Sequence, residues 1–405
     1  MAVVSGYNFQ IDLLCPQCGA PAVLEETQTI IKCDFCRTRN ILHSHPYPCF
    51  YMAPGLKNPA GLSVVYVPYW RFKGLEFSLG EKSPGFRVMD RSHLAVDKIR
   101  LPLSIGLRSQ TQTLKFIREN LVGKFLPPTI SRKEMLQQIA GTGEKKIYIG
   151  EIFSLIFMPF FQDADILYDG LSGKKLAITA STLMADTPAP VYRLEYTPSL
   201  CPNCGWDLRG DADSLVLQCN HCNTFWVIHH KKLIKVKGMF FDSCPGADLC
   251  LPFWRMQIGF KTLECGTYAH LIKLANIPES IQEEHKHQAV YFYVPAFKIN
   301  PKLFLRIARQ TTLAQIEPTR TDKMPTTQFY PATLPLEEGL QAVVPLLMDL
   351  CANKKEIWIL LAKEKVTLNA FTLVYLPFQT SGSEYVQDTL CFSLPKNSLK
   401  FGRRL

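Results

Sequence analysis

Apolar residues along the chain fall mostly into short alternating runs, with a few stretches at helical spacing, and this predicts a sheet-rich α+β protein. Val64 to Gly74 alternates as a strand, with Trp70 and Phe72 on one face and Tyr69, Arg71 and Lys73 on the other. Pro68 cannot donate to a ladder, so the pattern predicts an edge strand or a bulge there. Asp248 to Gly259 repeats the pattern, and both stretches read Pro-aromatic-Trp-Arg-apolar at Pro68 and Pro252. A later pair of strands is predicted at Phe153–Phe160 and Phe371–Phe378, each ending in Pro-Phe. Arg100–Arg108 with Gln110-Thr111 likewise resembles Asn300–Arg306 with Gln310-Thr311. Helical signals stand between these landmarks. Ser131-Arg-Lys-Glu134 is a capping box opening a short helix through Ile139. Glu337–Ala352 carries Leu340, Val343, Val344, Leu347 and Leu350 at helical spacing, and Pro345 inside it predicts a kink or a division.

Cysteines punctuate the same pattern. Cys15-Pro-Gln-Cys18 and Cys33-Asp-Phe-Cys36 form one set, and Cys201-Pro-Asn-Cys204 and Cys219-Asn-His-Cys222 form another, each with 14 residues between its two pairs. That spacing predicts two four-thiolate zinc ribbons, because each Cys-x-x-Cys knuckle turns two sulfurs toward one ion. Tetrathiolate iron uses similar knuckles, but the short interval favours zinc. Four thiolates close the coordination shell, so the sites are expected to be structural. Short strands are predicted at Val23-Leu24, Ile30-Ile31 and Asn40–Leu42. Each Pro-aromatic-Trp strand begins about 30 residues beyond the last cysteine of its set. Four landmarks recurring in one order predict a tandem duplication, each half a zinc ribbon followed by a mainly antiparallel sheet with a few helices. The expected divisions are ribbon 1 at 1–46, an α+β unit at 47–195, ribbon 2 at 196–232 and a second α+β unit at 233–405, with the Thr-, Ala- and Pro-rich segment 180–190 near the boundary.

Length and composition fit this picture. A chain of 405 residues exceeds one ordinary core, and 47% hydrophobic with 20% charged residues is a globular balance. Fourteen cysteines without a secretory leader pattern point to a reducing compartment, and thus to the cytoplasm. The longest apolar run, Ile152–Phe161, contains Pro159 and is about half the length that crosses a bilayer. The formal charge of +10 falls to about +6 once two sites of about −2 each are counted, a mild bias toward acidic partners.

Catalytic signals are weak. Gly141-Thr-Gly143-Glu-Lys145 lacks the full phosphate-loop frame and reads as a turn. Asp163, Asp165 and Asp169 offer a carboxylate cluster for a hard cation, although solvated loop residues are the simpler reading. Arg209-Gly-Asp211-Ala-Asp213 reads as the turn between strands of ribbon 2. Cys244 and Cys250, with His270 as a base, form a conceivable thiol site, against which stands the ordinary reading of buried inert cysteines. His43, His45, His229 and His230 show no ligand spacing. Lys231, Lys232, Lys235 and Lys237 follow Phe225-Trp226, so aromatics beside lysines make ribbon 2 a candidate nucleic-acid surface, with a solvated strand face as the plain alternative. The tail Lys396–Arg404 is also basic.

Val67-Pro68-Tyr69-Trp70 and Leu251-Pro252-Phe253-Trp254, taken with the two cysteine sets, resemble a group of bacterial proteins that pair a TFIIB-type zinc ribbon with a VPYW or VPFW strand. The resemblance covers about a third of the chain and implies architecture alone. Labels such as transcription-factor-like or helicase-like are not supported, since no helicase nucleotide motif and no cyclin-like repeats occur. The expected function is a non-enzymatic adaptor or scaffold that binds a protein partner, with exposed edge strands as a docking device. The alternative is a nucleic-acid-binding protein using ribbon 2, and the third reading is a thiol or metal-dependent enzyme.

Overall fold

The alternating runs form strands, and the two Pro-aromatic-Trp runs lie in long strands of 17 and 12 residues near the centre of each half. A computed structural model of the chain describes residues 9–44, 46–55, 61–97, 100–106, 112–118, 121–140, 145–164, 166–179, 187–229, 231–241, 246–318 and 327–405. These group into two units, the first within 1–73, 89–142 and 152–198, the second within 74–88, 143–151 and 199–405. The chain passes from the first unit to the second after residue 198, and 74–88 and 143–151 belong with the second unit. No sequence signal marks those two segments.

In the first unit the strands are β1 (Gln10–Leu14), β2 (Pro21–Glu25), β3 (Ile30–Lys32), β4 (Arg39–His43), β5 (Cys49–Met52), β6 (Ser63–Leu79), β7 (Gly85–Leu94), β8 (Leu114–Phe116), β9 (Lys124–Phe125), β10 (Lys145–Asp163), β11 (Ile166–Asp169), β12 (Lys175–Thr179) and β13 (Glu195–Pro198), with helix α1 (Arg132–Ala140) after β9. β6, β7 and β10 continue into segments of the second unit. A large mixed sheet runs β12-β11-β10-β5-β8-β1-β2, with β6 joined to β10, β7 and β9. A small sheet, β13-β4-β3, completes ribbon 1. The capping box holds at α1: Ser131 N–H donates to Glu134 Oε2 at 2.7 Å and Glu134 N–H to Ser131 Oγ at 3.2 Å.

The second unit contains β14 (Val216–Cys219), β15 (Thr224–His229), β16 (Lys232–Val236), β17 (Gly238–Phe240), β18 (Leu249–Phe260), β19 (Phe292–Pro295), β20 (Gln328–Phe329), β21 (Val366–Ser381), β22 (Glu384–Gln387) and β23 (Phe392–Pro395). Its helices are α2 (Tyr268–Ala275), α3 (Glu283–His287), α4 (Pro301–Ala314), α5 (Leu336–Gln341), α6 (Val343–Leu350), α7 (Lys354–Lys363) and α8 (Lys396–Gly402). β14-β15-β16 form the sheet of ribbon 2, and β19-β18-β21-β22-β23, with β17 and β20, form the larger one. The predicted division at Pro345 occurs between α5 and α6. Pro345 lacks an N–H, and its ring would strike the carbonyl four residues earlier, at Gln341, where α5 ends.

Each unit builds the same ladder from its own residues. β10 runs parallel to β5 and antiparallel to β11, while β21 runs parallel to β17 and antiparallel to β22. β6 is parallel to β9, and β18 is parallel to β20. In the first unit Ala95 N–H donates to Pro68 O, Thr129 and Ile130 N–H donate to Ala95 O, and Trp70 Nε1 donates to Ile130 O. In the second Ala296 N–H donates to Pro252 O, Thr333 and Leu334 N–H donate to Ala296 O, and Trp254 Nε1 donates to Leu334 O. The Pro-aromatic-Trp motif therefore has a structural task. Its tryptophan is buried, and the indole N–H ties the strand to the segment that crosses beside it.

Two expectations are corrected. Neither proline marks a sheet edge: β6 is buried along most of its length and pairs with three strands. Pro252 falls between the residues paired with β20 (Leu249, Cys250) and those paired with β19 (Phe253–Met256), so the missing N–H lies where the ladder changes partner. The outward groups of β19 are also occupied. Thr312 Oγ1 accepts from Tyr293 N–H at 3.0 Å, while the Gln315 amide accepts from Tyr291 N–H at 2.9 Å and donates to Tyr291 O at 2.8 Å. Secondly, the likeness of 100–108 to 300–306 does not extend to conformation. Asn300 caps α4, its Oδ1 accepting from Lys302 N–H at 3.0 Å, but Leu101–Gly106 forms turns, and 107–111 lie outside the described residues.

Candidate metal centres

The knuckles are set by backbone geometry that repeats. Cys15 N–H donates to Ala20 O at 2.8 Å and Gly19 N–H to Cys15 O at 2.9 Å; Cys201 N–H donates to Trp206 O at 2.7 Å and Gly205 N–H to Cys201 O at 2.8 Å. Gly19 and Gly205 both have φ of 72°, the left-handed turn that glycine accepts without strain.

These turns converge four sulfurs at each site. Cys15 and Cys36 Sγ lie 3.7 Å apart, Cys18 and Cys33 3.6 Å, Cys201 and Cys222 3.6 Å, and Cys204 and Cys219 3.5 Å. All ligand atoms of each set lie within 4.8 Å of one another. A tetrahedral ion with bonds of about 2.3 Å puts neighbouring sulfurs about 3.8 Å apart, so the fit is close. A disulfide needs about 2.05 Å, and these thiols are free. Both clusters therefore fit a structural metal ion held by Cys15, Cys18, Cys33 and Cys36, and by Cys201, Cys204, Cys219 and Cys222.

Without an ion the thiols divide into low and high members. The Thr38 hydroxyl and backbone N–H pull Cys36 down to about 6. Burial raises Cys201, but the N–H groups of Asn203 and Cys204 outweigh it and bring it to about 6. Cys18 accepts from the backbone at Ala20, yet burial and the neighbouring thiols push it up to about 11; Cys204 accepts from the backbone at Trp206 and is pushed up to about 12 in the same way. Only a cation lets all four ionise together.

A supporting shell recurs that the cysteine spacing does not announce. Thr38 Oγ1 lies 3.0 Å from Cys36 Sγ, and Thr224 Oγ1 lies 3.1 Å from Cys222 Sγ. In ribbon 2 the indole N–H of Trp226 donates to Thr224 Oγ1 at 2.9 Å, which leaves the hydroxyl hydrogen for sulfur. The available signal was a threonine two residues after the last cysteine in both sets. Arginines that hold the ribbon hairpins also escaped the sequence reading. Fully buried Arg71 pairs with buried Glu26, reaches Asp90 at 3.0 Å and covers the Phe9 ring at 4.4 Å. In ribbon 2 Arg403 pairs with Asp213 and, at 2.9 Å, with Asp211, so that turn is an anchor and not merely a connection.

Other candidates are placed as follows. Lys231, Lys232, Lys235 and Lys237 are exposed along and beside edge strand β16, but Phe225 and Trp226 next to them are buried. Cys250 is fully buried on β18, and Cys244 lies outside the described residues. His270 lines a cleft of about 440 Å³ with Lys273, Cys351, Asn353 and Glu356, away from Cys250. Burial pushes Cys49 and Cys265 up to about 12, far from nucleophilic. Asp169 is buried and accepts from Leu171 and Ser172 N–H at 3.0 Å, closing a hairpin; Asp163 stands apart, and Asp165 is outside the described residues. Among the described residues, the two cysteine sets are the groups of three or more ligand side chains close enough for one ion. His43 Nε2 meets Thr197 Oγ1 at 2.9 Å and His229 Nδ1 lies 3.3 Å from Glu337, whereas His45, His230 and the turn 141–144 lie outside the described residues. No helix among the described residues is long and apolar enough to cross a membrane.

Comparisons with protein-family models, curated proteins and solved structures gave no match, so the resemblance to TFIIB-type zinc-ribbon proteins rests on the residues alone.

Proposed function

We propose that the chain is a non-enzymatic adaptor built on two structural zinc ribbons, working in a reducing, cytoplasmic setting and binding a protein partner. The observation that carries this reading is the pairing of closed metal sites with exposed knuckles. Four thiolates leave no open coordination position for substrate, while Trp206 is 59% exposed beside the ligands, stacked on His221 at 5.1 Å. Leu200, just before Cys201, is also half exposed. A rigid aromatic held by a metal knuckle is the kind of anchor that dominates protein interfaces.

Duplication is part of the proposal. The matched ladders and the Pro-Ala-Thr-Trp hydrogen-bond set support descent of both units from one ribbon plus α+β element. Zinc is favoured over iron by the spacing of the knuckles, and elemental analysis of protein purified under reducing conditions should give two zinc ions per chain.

The interface is tested with full-length protein carrying Trp206→Ala. A partner captured by the wild type, identified and purified, should bind in stoichiometric amount and lose at least tenfold in affinity for the variant, with metal content unchanged. Equal binding by the variant, or no stoichiometric partner for the wild type, overturns the reading.

A further inference from the structure

The second knuckle of ribbon 1 differs from its counterpart in a way that the metal does not require. It reads Lys32-Cys-Asp-Phe35-Cys-Arg37-Thr-Arg39, where ribbon 2 reads Gln218-Cys-Asn-His221-Cys-Asn223-Thr-Phe225. Phe35 is 70% exposed, a ring projecting from the tip of the hairpin. Lys32 and Arg37 are exposed and have no ion-pair partner among the described residues. Lys32 stands opposite Arg39 in the β3–β4 register, which places its amine at the base of the knuckle. Arg37 adopts φ of 62°, a left-handed position that suits the asparagine found at the matching place in ribbon 2, where Asn223 has φ of 52°.

Charge compensation for the metal is the ordinary explanation of such cations, and ribbon 2 argues against it. The same four-cysteine cluster is built there with glutamine and asparagine at the positions of Lys32 and Arg37, so the knuckle geometry does not demand these cations. The basic residues also surround an exposed ring, which bare compensation does not call for. Exposed Asp34 lies beside the ring, and Lys32 and Arg37 outnumber it, so the tip offers stacking to a base and a net positive flank for phosphates.

We infer that the second knuckle of ribbon 1, through Phe35, Lys32 and Arg37, is a contact site for single-stranded nucleic acid. This site is separate from the ribbon 2 knuckle of the adaptor reading, and either can fail alone. Because stacking and phosphate contact need no base-edge hydrogen bonds, binding is tolerant of sequence and sensitive to salt.

The test is fluorescence anisotropy of the full-length, metal-loaded protein with labelled oligothymidylate, a duplex of equal length and polyglutamate. The single strand should bind more tightly than either competitor. Phe35→Ala should weaken it by roughly five- to a hundredfold, the range for loss of one stacked base. Replacing Lys32 and Arg37 with glutamine and asparagine should flatten the slope of log affinity against log salt by about 1.4, the value for two phosphate contacts on a single strand. The triple change Lys32→Gln, Phe35→His, Arg37→Asn installs the residues found in the four-cysteine knuckle of ribbon 2 and should abolish binding with metal content unchanged. No binding by the wild type overturns the inference, as does equal affinity for polyglutamate or binding that the triple change leaves intact.

Discussion

Ribbon 1 and ribbon 2 hold the same sulfur geometry but are completed by different means. Each needs a third strand beside its second hairpin. Ribbon 2 makes that strand from the chain that immediately follows, with β16 returning along β15 from Lys232 opposite His229 to Val236 opposite Phe225. Ribbon 1 receives β13 from about 150 residues away, with Glu195 opposite His43 through Pro198 opposite Asn40. The anchors differ in burial, and in reach they run the other way, with 45 residues between Arg71 and Glu26 and 190 between Arg403 and Asp213. Arg71 and Glu26 are only 1% and 2% exposed, whereas Arg403 is 35% exposed and reaches Asp213 from the far end of its unit's sequence. A cysteine pattern thus specifies a metal site locally, but the cost of closing the surrounding sheet depends on where the remaining strand comes from. Ribbon 2 draws its strands from one stretch of chain while Val216, Phe225 and Val236 enter its unit's core, and ribbon 1 is a joint in the topology of its unit.

Loss of a ligand should expose this contrast most strongly, since structural zinc contributes roughly 10–16 kcal/mol in isolated fingers. Cys33→Ser should release one metal ion and strip hydrogen-exchange protection from the ladder amides of β3, β4 and β13. Cys219→Ser should release the other ion and unprotect β14–β16 while β13 keeps its protection. If Cys219→Ser also frees β13, the contrast is wrong. The anchors come next. Arg71→Ala leaves Glu26 buried without its partner and should cost about 3–5 kcal/mol in denaturant unfolding, most of it recovered when Glu26→Leu accompanies Arg71→Met. Arg403→Ala should cost roughly 2 kcal/mol, because Asp213 is buried but the arginine is partly solvated. A smaller effect at Arg71 than at Arg403 would reverse the ranking of the two ribbons.

What the sequence disclosed follows the same line between local and distant causes. The cysteine spacing predicts both clusters, Ser131 and Glu134 start α1, and Pro345 divides α5 from α6, because each depends on residues within a few positions. The hydrophobic pattern finds β6 and β18, but of the two places it allows Pro68, an edge or a bulge, the edge is not the one taken. It records which side chains alternate, not how many strands flank them, and a proline at a change of ladder partner looks the same as one at an edge. Arg71 reads as the polar face of a strand until Glu26, 45 residues earlier, is seen against it. The transfer of 74–88 and 143–151 to the second unit rests on Leu75, Phe77, Leu79 and Ile149 joining its core, a preference that alternation alone cannot express.

The smallest expected effect separates the two ribbons at a single hydroxyl. Thr38 lies against Cys36 Sγ, and Thr224 against Cys222 Sγ at 3.1 Å and Cys201 Sγ at 3.7 Å, so removing either hydroxyl deprives a thiolate of a donor. Thr224 has a second task, since it accepts the indole N–H of Trp226, which is buried and has no route to water. In ribbon 1 the residue at the matching place is Asn40, whose packing does not involve an indole. Thr224→Ala should therefore destabilise by about 1 kcal/mol more than Thr38→Ala, the difference being the penalty for an unpaired buried donor. Thr224→Ser should restore most of that difference, because serine keeps the oxygen. Equal losses at the two threonines, in chemical denaturation of the metal-loaded chain, would mean that the indole bond adds nothing and that the two supporting shells are energetically alike.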